Sequence, residues 1–268
     1  MSKPAVAALA PLPLDFELVY DDGEPLENEW HTIQIPLLRE VTRQRMKELG
    51  RRDFYVGGNM FVYYSVEQAR EVARTKKSEV RGPDVFWVEG VELDRDRKAW
   101  VSWEEGGRLP DVIIELLSPS TAKIDRTDKV DLYGRVFRTS EYYMFEPETR
   151  TLEGLSLSGR FYQSMEPDAQ GRLRSERLGA VLGVWHGIRE DQERDWIRLY
   201  RPDGSLVPTG EERAEAERQR AEAEHKRAEA ECQRAEAEHK RAEAERQRAE
   251  AAEAELARLR ARLEKREA

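Results

Sequence analysis

The run VIIELL, residues 112–117, carries one charged side chain, Glu115, in an otherwise apolar stretch. Alternate residues of a strand share a face. Asp111, Ile113, Glu115 and Leu117 therefore point one way, and Val112, Ile114 and Leu116 the other. Both faces are apolar, which predicts a central strand covered on both sides and a buried Glu115. A buried carboxylate is costly unless it is paired, protonated or bound to a metal. One reading is a salt bridge to an arginine across the sheet. A second carboxylate, Asp84, opens the apolar stretch DVFWV directly after Pro83, a position where Asp is also a common turn residue. Two carboxylates from neighbouring strands can meet at one point. Hard oxygen ligands on rigid strands suit Mg²⁺, which keeps several waters and bridges to phosphate. Downstream, Lys129 and Tyr133 stand one helical turn apart, so both can line the same side. The plainer reading of Lys129 is a solvated i,i+4 pair with Asp125.

These residues need a mixed α and β framework. The segment HTIQIPLLREVTRQRMKELG has helical apolar spacing and ends at Gly50. DFYVGGNMFVYYS reads as a strand pair or a bulged strand, GPDVFWVEGVEL as a strand begun after a proline, and KAWVSWEE as a short strand. Ser and Thr in SPST suit the cap of a following helix over about 125–138, with Val130, Tyr133 and Phe137 on one face. EYYMFEPETRTLEGLSLSGRFYQSM predicts two strands around a turn, and GAVLGVWHG and WIRLYRPDGSLV a closing strand and a hairpin. His31 and His186 lack spaced partners and read as structural. Trp87, Trp100 and Trp103 read as core or rim.

The chain has 268 residues, 37% of them charged, and a net charge of −9. From about Gly210 a seven-residue repeat of the RAEAERQ and RAEAEHK type sets in, built from strong helix formers without Gly or Pro. Leu256, Leu259 and Leu263 define a heptad seam. The same register places Ala249, Ala242 and Ala235 at one seam position and Glu245, Glu238 and Glu231 at the other. The tail is thus expected to be a solvated or weakly self-associating helix supported by pairs such as Glu222–Lys226, and homo-oligomerisation through it a weak one. His225 and His239 belong to this solvated repeat. From Thr209 onward there are 15 Lys/Arg and 17 Asp/Glu, which leaves −7 of the net charge on the preceding part. That weighs against a broad basic surface. The one cysteine, Cys232, excludes an intrachain disulfide and predicts a reducing, cytoplasmic location. Residues 1–14, interrupted by Pro4, Pro11 and Pro13, read as a loose leader and not as a signal or a membrane span. The expected division is residues 1–14, a globular domain over 15–207, and a helical tail over 208–268.

The order GPDVFWVEGV, then LPDVIIELLSPSTAKIDRTDKVDLYGRVFRTSEYYMFEP, then GRFYQSM resembles the Uma2 family (DUF820) of the PD-(D/E)xK restriction-endonuclease-like superfamily. The resemblance covers roughly residues 14–205. It implies an α/β (α+β) restriction-endonuclease-like core, with a central mixed sheet flanked by helices, here extended by a long charged C-terminal helix. It also implies a nuclease that cuts DNA with Mg²⁺ or Mn²⁺. The metal would be held by Asp84, Glu115 and the backbone carbonyl of Leu116. The superfamily's lysine two residues after the acid is absent, because Leu117 stands there; Lys123 and Lys129 remain, and the family places the lysine at the position of Lys129. Such folds often draw a third acid from the first helix, for which Glu29 and Glu40 are candidates, and Asp111 is expected near the mouth of the site. A different class of function is also consistent with the acidic globular part and with Leu117: a non-catalytic interaction protein that keeps this fold as a scaffold and works through its tail.

Overall fold

The computed structural model describes residues 13–20, 28–75, 82–93, 95–118 and 122–267. The expected leader falls mainly on residues 1–12, and the expected SPST cap on residues 119–121, both outside the described residues. The chain divides into two compact units, residues 1–209 and 210–268.

The first unit is built on a six-stranded sheet in the order β1-β3-β5-β6-β7-β8. Its strands are β1 (Phe54–Gly58), β3 (Val85–Glu89), β5 (Val112–Leu116), β6 (Glu141–Glu146), β7 (Thr151–Ser158) and β8 (Phe161–Ser164). Only the β5–β6 pair is parallel, so the sheet is mixed. The run read as two strands around a turn, from Glu141 to Met165, makes three. As its apolar faces require, β5 lies between β3 and β6 with all five residues buried. Residues on one face of these strands, including Val85, Trp87, Val112, Ile114 and Phe145, pack with helix α1 (Glu29–Glu48). Phe86, Ile113, Tyr142 and Met144 of the opposite face pack with Tyr133 and Phe137.

Helix α1 starts at Asn28, whose side chain accepts the His31 backbone N–H, the usual N-cap bond. Three further elements follow β1: β2 (Val62–Tyr63), helix α2 (Val66–Thr75) and β4 (Trp100–Val101), with β2 and β4 forming a parallel two-stranded sheet. Helix α2 was not foreseen in the sequence. A third sheet holds β9 (Leu173–Ser175), β10 (Ala180–Arg189) and β11 (Gln192–Tyr200) in the order β11-β10-β9. The hairpin turns at Glu190–Asp191, both at positive φ, the conformation that two-residue hairpin loops need. The expected hairpin at Pro202–Gly204 shrinks to a single bridge between Tyr200 and Leu206. Gln34 of α1 donates to the Ile197 carbonyl and accepts its N–H, at 3.0 and 2.8 Å, and so clips α1 to β11.

The helix expected over 125–138 is broken into α3 (Ala122–Arg126), α4 (Asp128–Asp131) and a π-helical turn, Leu132–Phe137. At the break, Tyr142 of β6 donates its hydroxyl to the Asp125 carbonyl at 3.0 Å. A helix carbonyl is thereby satisfied from the sheet. The second unit is one helix, α5 (Gly210–Glu267), on the order of 85 Å long. It carries the expected Glu222–Lys226 pair at 2.6 Å and a further pair, Arg246–Glu250, at 2.9 Å. Cys232 is exposed. No helix among the described residues is long and apolar enough to cross a membrane.

Candidate active site

The GPD sequence at residues 82–84 has a local explanation. A Cβ on Gly82 would lie 1.5 Å from the Met60 carbonyl oxygen, so only glycine allows this backbone approach. Asp84 follows as the residue before β3. Antiparallel pairing of Val85 with Ile114 then brings Asp84 opposite Glu115, with its side chain reaching Leu116 at the C-terminal end of β5. The β3–β5 ladder stops there. Leu116 is left with its N–H and C=O facing an edge that β3 no longer covers, because the neighbouring Leu117 N–H already bonds to Phe145 on the other side. Asp84 Oδ2 accepts the Leu116 N–H at 2.7 Å, and the Asp84 N–H donates to Glu115 Oε2 at 3.3 Å.

Glu115 points to the face that α3, α4 and the π turn cover. Tyr133 donates its hydroxyl to Glu115 Oε1 at 2.8 Å, and Lys129 Nζ lies 3.0 Å from the same oxygen. Lys129 Nζ also pairs with Asp125 Oδ1 at 2.7 Å. The i,i+4 pair of the plainer reading therefore exists, but it is not solvated: Asp125 is 1% exposed and Glu115 2%. The π turn that carries Tyr133 is of a kind often found at functional sites. Asp84, Glu115, Lys129 and Tyr133 thus converge, joined by Asp125, which the sequence analysis had treated only as a surface partner.

Burial pushes the Glu115 carboxyl up to about 7; the Lys129 charge opposes this and the Asp84 charge adds to it. Burial likewise pushes Asp84 up to about 6, against the bond from the Leu116 N–H and the charge of Lys129. Burial alone would pull the Lys129 ammonium down, but Glu115 and Asp125 outweigh it and hold it above the ordinary lysine range. Burial, reinforced by Glu115, raises the Tyr133 hydroxyl well above its usual value. The result is two neighbouring carboxyls, both raised by burial, beside an ammonium held charged by its acidic partners.

Other expected members lie elsewhere. Asp111 is at the opposite end of β5, where it accepts the Glu89 N–H at 2.8 Å. Four residues of extended strand, roughly 13 Å, separate it from Glu115, so its expected place at the mouth of the site is corrected. Glu29 is exposed in the first turn of α1, and Glu40 is half-buried about 16 Å further along that helix. Lys123 is exposed, and Leu117 is core at 2% exposure. Among the described residues, no group of three His, Cys, Asp or Glu side chains is arranged to hold a metal ion. The residue that α1 brings to this region is His31, with Nε2 3.1 Å from the Leu116 carbonyl oxygen. Nothing in its sequence neighbourhood signals this, since its partner lies 85 residues away. His186 is a surface residue beside Asp195, while Trp87 and Trp100 are core.

A cleft of about 640 Å³ adjoins the end of β5, lined by Asn28, Trp30, Leu117 and Ser118 and by five acids, Glu29, Glu146, Glu148, Glu193 and Asp195, against Arg150 and Arg194. Such a lining repels a polyanion.

No curated protein matches the chain. Among solved structures it is similar to "a putative nuclease belonging to DUF820" from Anabaena variabilis ATCC 29413, at 16% identity and a TM-score of 0.39, with 59% of this chain and 81% of that chain covered. Residues 12–189 match the model of Uma2, described as "Putative restriction endonuclease". The match spans Asp84, Glu115, Lys129 and most of the strands, and covers well over half of the chain, so this chain belongs to the Uma2 family.

Proposed function

We propose that the protein is a divalent-metal-dependent endonuclease that hydrolyses DNA phosphodiester bonds at Asp84, Glu115 and Lys129. The convergence of these three side chains at the end of β5 carries the reading, and the family description supports the substrate class. The donor set fits Mg²⁺ or Mn²⁺: two carboxylates and the Leu116 carbonyl are hard oxygens, and Mg²⁺ commonly takes only one or two carboxylates and fills its shell with water. A third acid is therefore not required. Bound there, a divalent ion would supply the Lewis acidity that activates water for attack on phosphorus.

The chain's own residues do the rest. Asp84 and Glu115 would hold the ion as carboxylates, whose protons its binding would release. Tyr133 fixes the rotamer of Glu115 through its hydroxyl. Lys129, held as an ammonium by Asp125, presents positive charge to the phosphate as charge builds on its oxygens. Purified protein with Mg²⁺ or Mn²⁺ should cut DNA, and Glu115→Ala should abolish cutting while the variant stays folded. Failure to cleave any form of DNA or RNA, with no metal bound, would refute the proposal.

The acidic cleft and Leu117 favour a second reading, a non-catalytic interaction protein that acts through its helical tail. The two readings separate on removal of that tail.

A further inference from the structure

His31 is nearly fully buried, at 3% exposure, in the first turn of α1. Its ring is pinned from several sides. Nδ1 lies 3.0 Å from Asn28 Oδ1, the oxygen that also accepts the His31 backbone N–H at 3.2 Å. Trp30 meets the ring edge-on at 5.4 Å and is itself stacked on Trp196 at 6.1 Å. One turn further along, Gln34 is bonded in both directions to Ile197. The first turn of α1 is thus anchored on both sides of His31, and Nε2 is directed at the Leu116 carbonyl oxygen at 3.1 Å.

That carbonyl belongs to the peptide unit following Glu115. It lies on the edge that β3 leaves uncovered, where Asp84 has already taken the Leu116 N–H. A carbonyl oxygen accepts through two lone pairs. Both ring nitrogens face oxygens, so the neutral ring donates to one of them; with the proton on Nε2 it donates to the Leu116 oxygen, orients it and leaves a lone pair for a cation. Groups behind a ligand that fix its direction typically change metal affinity by about 10–100-fold when removed.

We infer that His31 is a positioning residue for the metal site, holding the Leu116 carbonyl in line with the Asp84 and Glu115 carboxylates, and so takes the place in α1 where a third acid was expected. The inference rests on the proposed metal site. Its test is titration of the full-length protein with Mn²⁺ alone, followed by the paramagnetic signal of free Mn²⁺, in wild type, His31→Ala, His31→Gln and Ile33→Ala. Ile33 is a buried core residue of the same helix, at 4% exposure, and reports the effect of lost packing. His31→Ala should weaken Mn²⁺ binding by on the order of tenfold or more. His31→Gln, whose amide can donate to the carbonyl, should recover much of that loss. Ile33→Ala should lower the melting temperature without a comparable loss of affinity. If wild type binds no Mn²⁺, the metal site itself falls. If wild type binds and His31→Ala binds equally well, or if Ile33→Ala loses as much affinity as His31→Ala, the role of His31 alone is overturned.

Discussion

Glu115→Gln tests whether the carboxylate in β5 is a liability to the fold. The carboxyl lies at about 7 in the folded protein against an ordinary 4.5, and the side chain is 2% exposed. The folded chain therefore holds a proton that the unfolded chain releases from about pH 4.5 upward. Stability from this group is full below the lower value, declines between the two and levels off above pH 7. At about 1.36 kcal/mol per pH unit the decline is on the order of 3 kcal/mol. Asp84, at about 6 and in direct contact, ionises together with Glu115, which lowers the part assignable to Glu115 to about 2 kcal/mol. Glutamine has no proton to lose and keeps an oxygen for Tyr133. Relative to wild type, the variant should gain about 2–3 kcal/mol between pH 4.5 and pH 8. Its melting temperature should pull ahead over that interval by about 4–12 °C, at roughly 2–4 °C per kcal/mol for a domain of this size. Circular-dichroism melts with a chelator at four pH values across the range suffice. A gap between the two proteins that stays constant, or narrows as pH rises, would refute the assignment of a buried, proton-retaining Glu115.

Two further outcomes are expected. Lys129→Met leaves Glu115 and Asp125 buried side by side without their cation, which should cost about 3–5 kcal/mol at pH 8 by urea denaturation and less at pH 5.5, where Glu115 is protonated; an equal loss at both values would contradict the buried three-way pairing. Removal of residues 210–268 should leave the melting temperature of the remaining unit within a few degrees of wild type and its DNA cleavage intact, with any self-association lost in sedimentation velocity; loss of all measurable binding would favour the scaffold reading.

Two short-range periodicities made parts of the candidate site legible, and the family resemblance supplied the grouping of Lys129 with Asp84 and Glu115. Strand alternation puts Glu115 on the face of Ile113, and helical spacing puts Lys129 and Tyr133 on one side of their segment; that both reach Glu115 is a tertiary outcome. The alternation put Leu117 on the buried face it occupies. Errors arose where a long-range contact competes with local pattern. The helix over 125–138 is interrupted where Tyr142 bonds to the Asp125 carbonyl, and the hairpin sits at Glu190–Asp191 because β10 and β11 pair along their full length. Asp111 lies at the opposite end of β5 from Glu115, because alternation specifies a face and not a distance along the strand.

The sequence by itself determined that Glu115 is a buried carboxylate in a central strand and that a long charged helix follows the globular part, since these follow from composition and from periods of two and 3.6 residues. Tertiary structure alone decided that the β3–β5 ladder ends at Ile114, two residues before Leu116, that Asp125 is buried with Lys129, and that α1 supplies His31. Those outcomes depend on strand register and on how α1 is clipped to β11, which join residues far apart in the chain and leave no mark in the local pattern around any one of them.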